Sequence, residues 1–144
     1  MTITEFLKAR LDEDEAAALA WPEDERGWKP VGNRNLRYGS GRSEQVGAVD
    51  VSGRVLDWWE RIYVRRDIDG LTGHIARHDP ARVLRDVAAK RAILEMHTWT
   101  ASLDGCWSCS GDHGADPTPA PCGTLRHLAA VYAVHPDYNT KWAP

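Results

Sequence analysis

A chain of 144 residues suffices for one compact domain, and 42% apolar with 27% charged residues is the balance of a folding globular protein, which argues against wholesale disorder and against a collagen-like or coiled-coil fibre. The net charge of −3 is uneven: residues 1–25 carry two basic against eight acidic side chains, net −6, so the remainder is +3, too little for the strongly basic domain of a general nucleic-acid binder. No apolar run approaches the ~20 residues that cross a bilayer, and the opening MTITEFLKARLDEDE is charged within its first turns. The expectation is a cytoplasmic protein with no membrane partner, built as a single domain over residues 1–144.

Thr2 followed by Glu5 is a capping-box pattern, and Ile3, Phe6, Leu7 and Leu11 recur at helical spacing. This predicts a helix over residues 3–20, closed by Trp21-Pro22, with Asp12 to Glu15 as a solvated face. From Gly27 to Asp69 the helical period disappears. Short segments such as Leu36 to Tyr38, Gln45 to Val51 and Val55 to Val64 carry valines, tryptophans and tyrosine between the turn signals GNRN, GSG and SG. An antiparallel β-meander is expected over residues 27–69. Within it Trp58 and Trp59 would face opposite sides of a strand, one packing inward and one covering an edge, with Trp58 kept as a candidate stacking surface.

Residues 71–144 read as helical. Leu71 to His78 forms a short helix, and Asp79-Pro80 supplies an N-cap and a proline at the first helical position of a second. Val83, Leu84, Val87, Arg91 and Leu94 mark the inner face of that second helix, which runs to about His97. Arg77, Arg82, Arg85, Lys90 and Arg91 outnumber Asp79, Asp86 and Glu95 along this stretch. Its exposed side is weakly basic, with Arg82 and Arg85 as candidate contacts. Residues 98–121 are expected as a loop, and Pro121-Cys122 opens a last helix with Leu125, Leu128, Ala129 and Tyr132 on one side. His135-Pro136 ends it, leaving DYNTKWAP as a tail.

The loop holds the chemistry. Cys106 and Cys109 are spaced C-x2-C in CWSC, which lets two thiolates curl onto one ion, and Cys122 follows after twelve residues, a gap within the range of a tetrahedral zinc site. The fourth ligand is His97, at the end of the long helix, with His113 as the alternative and His127 third. Metal coordination would hold a loop of more than twenty residues that is otherwise costly to order, and Cys122 at a helix start would have its thiolate favoured by the helix dipole. Redox chemistry needs C-x2-C at the start of a helix after a strand, which the sequence does not offer. Catalytic zinc needs an open position, which three cysteines and a histidine would close. His74 and His78, four apart on a helix, lack an accompanying carboxylate motif and read as surface histidines.

The segments HIARHDPARVLRDVAAKRAILEMH, then C-x2-C, then PCGTLRHLAAVYAVHPDYNTKWAP, together with the opening FLKARLDEDE, resemble domain-of-unknown-function family 6221, small proteins of actinobacteria and actinophages. Residues 22–68 depart from the family pattern: only Trp21-Pro22 and Trp28 echo its Trp-centred PGPW. A looser likeness links HIARHDPARVLRDV to Ea22-like phage proteins. The resemblance implies no assigned activity, but it does imply that His97, Cys106, Cys109 and Cys122 match family motif positions, and a phage or mobile-element accessory role would be compatible with it. The expectation is therefore an α+β fold with an N-terminal helix, a small meander and two or three helices joined by a zinc-knuckle loop. Its function would be that of a non-enzymatic zinc-binding module with a protein partner. A nucleic-acid-binding accessory is the second reading, with Arg61, Arg65, Arg66, Arg82, Arg85 and Arg91 on phosphates and Trp58 or Trp107 stacking. A C-x2-C redox protein is the third.

Overall fold

The computed structural model describes residues 1–31, 44–49, 62–64, 71–98, 105–110 and 117–144. It is an α+β fold. Two compact units emerge, one formed by Met1–Asp14 with Asp86–Pro144 and the other by Glu15–Arg85.

The first helix, α1, spans Ile3–Leu19. Its start is the reciprocal capping box expected from the sequence: the Thr2 amide donates to Glu5 Oε2 at 2.7 Å and the Glu5 amide to Thr2 Oγ1 at 3.2 Å. In the first unit Ile3, Phe6, Leu7 and Leu11 are buried, as their spacing predicts. The acidic run is more than a solvated face. Asp12 accepts from Arg91 Nη2, Glu13 from Arg10 Nη2 and Asp14 from the Tyr132 hydroxyl, each at 2.6 Å.

In the second unit the chain leaves α1 through a single 3-10 turn at Glu23–Glu25 and enters a three-stranded antiparallel sheet in the order β1-β2-β3. The strands are β1 Gly27–Val31, β2 Glu44–Val49 and β3 Ile62–Val64, in register Gly27↔Val49 and Val31↔Gln45, then Glu44↔Val64 and Val46↔Ile62. The meander thus stands, but its first strand is β1, which the sequence did not single out. Pro30 disguises it, because a proline cannot donate to a ladder and is tolerated only at an edge, where β1 lies. The expected segment Leu36–Tyr38 and residues 55–61 of the third segment, Trp58 and Trp59 among them, fall outside the described residues.

Helix α2 spans Leu71–Arg77 and α3 spans Pro80–His97. Asp79 caps α3 by accepting from the Arg82 amide at 2.6 Å, and its second oxygen takes the Trp28 amide at 3.3 Å, so one carboxylate ties β1 to the helix start. The Trp28 indole donates to the Glu25 carbonyl and stacks edge-on against Trp21 at 5.1 Å. These bonds fix the turn between α1 and β1.

In the first unit, Val87 and Leu94 of α3 are buried, as are Leu125 and Ala129 of α4, which spans Gly123–Ala130. Beyond Ala130 the chain continues through i→i+3 turns, with the Tyr132, Ala133 and His135 amides donating back to Ala129, Ala130 and Tyr132. The expected tail is packed structure. Tyr138 and Trp142 reach the Phe6 ring at centroid distances of 6.0 and 5.2 Å, together with Tyr132 and His135, and Trp142 is buried. Asn139 caps a closing 3-10 turn at Thr140–Trp142, and Arg126 donates to the carbonyls of Pro121, Lys141 and Ala143. A buried Arg10 sits over Phe6 with its Nη1 against the His135 ring.

Candidate metal centre

His97 is the last residue of α3, so its backbone position is set by the helix. Ser108 Oγ donates to the Met96 carbonyl and Thr98 Oγ1 donates to the Glu95 carbonyl at 2.8 Å. Both satisfy carbonyls that a helix end leaves without intrahelical partners.

The connection to α4 contains a short antiparallel ribbon where the sequence predicted only loop. Strand β4, Gly105–Cys106, pairs with β5, Thr118–Pro119, in register Gly105↔Pro119 and Cys106↔Thr118. A Cβ on Gly105 would lie 2.6 Å from the Thr118 carbonyl oxygen and 2.8 Å from Pro117 Cβ, so the ribbon closes only with glycine there. From Cys106 the chain turns at once into a 3-10 turn, Trp107–Cys109, sealed by the Ser110 amide on the Trp107 carbonyl at 3.1 Å. This strand-then-turn geometry brings both sulfurs of the C-x2-C motif to one side. Cys122 is the N-cap residue of α4.

The four side chains meet. His97 Nδ1 lies 3.3 Å from Cys106 Sγ, 3.2 Å from Cys109 Sγ and 3.7 Å from Cys122 Sγ, and the four ligand atoms all fall within 4.8 Å of one another. None of the three cysteines is in a disulfide. Such a group could hold a metal ion, and among the described residues it is the one group of three or more potential ligands to do so. His127, the third-choice ligand, is exposed on α4, and His113 lies outside the described residues.

The thiols differ in surroundings. Cys106 and Cys122 are 2% and 1% exposed, whereas Cys109 is half-buried between Ser108 and Ser110. Thr124 Oγ1 stands 3.5 Å from Cys109 Sγ, and that hydroxyl hydrogen bond holds the Cys109 thiol below the ordinary range. Burial pushes the Cys122 thiol up to about 11, so a metal would have to displace its proton.

The other candidate residues fare differently. Trp107, the first residue of the 3-10 turn, is 51% exposed, and Met96 is 65% exposed. Arg85 is exposed, Arg82 donates to the Arg77 carbonyl at 3.0 Å, Lys90 approaches Asp86 at 3.9 Å and Arg91 pairs with Asp12, so much of the basic face is satisfied internally. Trp58, Arg61, Arg65 and Arg66 lie outside the described residues. The His74 and His78 rings lie 4.6 Å apart, with no third ligand among the described residues. Thr124 was not anticipated: a hydroxyl two residues after Cys122 gives no signal until the helix start is seen to face Cys109.

Among the described residues no helix is long and apolar enough to cross a membrane. No curated protein and no solved structure matches the chain. The sequence model of one family covers it from end to end, residues 1–144: the chain belongs to DUF6221, a family of unknown function.

Proposed function

We propose that the chain is a non-enzymatic binding module in which a structural Zn2+ joins the end of α3, the β4 turn and the start of α4, and that its partner is another protein. The observation carrying this reading is the approach of His97 Nδ1 to three cysteine sulfurs at 3.2–3.7 Å. With Zn–S bonds of ~2.3 Å and Zn–N bonds of ~2.0–2.1 Å, a tetrahedral ion needs N···S edges of ~3.6 Å, so the side chains stand near the positions required. Three thiolates and an imidazole fill a tetrahedron and leave no place for a reactive water, which favours structural over catalytic zinc.

A residue as large as Trp107, half-exposed on a turn pinned by its flanking cysteines, offers a partner an aromatic anchor that loses little freedom on binding. Nucleic acid is the second reading, favoured by the same indole and by the exposed Arg85. Affinity for single-stranded DNA or RNA that falls steeply with salt would select it, and no binding at low salt would remove it. For the leading reading, Cys109→Ser is expected to lose zinc and to unfold without a cooperative transition, as followed by elemental analysis and circular dichroism. A Cys109→Ser protein as stable as its parent would defeat it.

A further inference from the structure

The zinc ligands are not equally protected. Cys106 is paired into the ribbon and Cys122 caps α4, both essentially out of solvent at 2% and 1% exposure. Cys109 is the last residue of the 3-10 turn and is half-buried, after the exposed pair Trp107-Ser108. Its sulfur is also within 4.8 Å of both buried sulfurs, inside the reach of a second thiolate. An accessible thiolate with thiolates already beside it is the arrangement that turns a two-electron oxidation into a disulfide before further oxygen can add.

We infer that the staple is a peroxide-sensitive latch that opens at Cys109. The Cys109 sulfur attacks one oxygen of hydrogen peroxide, the O–O bond breaks, hydroxide leaves and the sulfur becomes a sulfenic acid. A neighbouring cysteine thiolate then attacks that sulfur, the S–O bond breaks and a second hydroxide leaves as the S–S bond forms. Two thiolates lose two electrons, one peroxide gains them, and the hydroxides take protons from solvent to become water. With two of its four ligands consumed, the ion leaves as aquated Zn2+. Opening releases the turn that carries Trp107, so the surface proposed for the partner is present only in the reduced, metal-bound state.

This inference rests on the zinc reading, and the test separates the two. The full chain, with its zinc content measured first, is treated with sub-stoichiometric hydrogen peroxide while a chromophoric chelator reports free zinc and mass spectrometry maps alkylated and disulfide-linked cysteines. The expected result is one zinc released per disulfide, every disulfide containing Cys109, and Cys109 labelled by a small alkylating agent at least about tenfold faster than Cys106 or Cys122. Zinc retained through oxidation, a Cys106–Cys122 disulfide or equal labelling of the three would overturn the latch and leave the zinc site standing. A chain without zinc at the outset would overturn both. Cys109→Asp, which keeps a ligand that peroxide does not oxidise, is expected to hold zinc and to release none; release at the parent rate would also overturn the latch.

Discussion

At the scale of single residues, the centre depends on side chains whose work is to place others. Thr124 neither ligates nor packs in the core, yet its hydroxyl stands 3.5 Å from Cys109 Sγ and supports the most accessible of the three sulfurs. Groups of this kind usually alter metal affinity by about 10- to 100-fold. Thr124→Val is therefore expected to weaken zinc binding by about tenfold in a chelator competition while leaving helix content unchanged; an unaltered affinity would show that the hydroxyl is incidental. The proton on Cys122 gives a second expectation. Because burial pushes that thiol up to about 11, it holds its proton throughout the neutral range, and a metal ligated there must displace it. Apparent zinc affinity should rise with pH between about pH 6 and pH 8, with protons released in calorimetry whose heat changes with the buffer. A pH-independent affinity would argue against thiolate ligation.

At the scale of elements, the helices and strands β2 and β3 were readable while β1, β4 and β5 were not, for a physical reason. Helix α1 shows its capping box and its i, i+3, i+4 apolar spacing, and α3 opens on Asp-Pro, so their starts follow from local chemistry that tertiary contacts do not override. Strand β1 holds Lys29 and Pro30 at a sheet edge, while β4 and β5 are two residues each, too short for alternation to register. The packed C-terminus escaped for a related reason: Tyr138 and Trp142 lie in a segment with Pro, Asp and Asn that carries no helical period, and only the Phe6 ring they meet shows that they belong to the core. Trp142→Ala should therefore cost about 3 kcal/mol in denaturant unfolding, a core-sized loss from a residue that reads as tail. A change below about 0.5 kcal/mol, typical of surface positions, would contradict that packing.

At the scale of the whole molecule, the α+β class and the Cys3His group were both legible, because ligand spacing and helix boundaries are local signals. Among the candidate fourth ligands, spacing alone left His97, His113 and His127 open; the end of α3 brings His97 to the sulfurs and α4 leaves His127 exposed. Trp107 and Met96 are both exposed, and large apolar side chains of this kind are what the proposed protein partner would contact. One ion held by His97, Cys106, Cys109 and Cys122 would tie together the elements of the unit formed by residues 1–14 and 86–144. The measurement that bears on it most directly is elemental analysis of the purified chain beside His97→Ala and His127→Ala, each followed through thermal unfolding with and without a chelator. About one zinc per chain is expected in the parent and in His127→Ala, its loss in His97→Ala, and loss of the cooperative transition whenever zinc is absent. A parent chain that carries no metal, or that unfolds identically after its zinc is stripped, would contradict it.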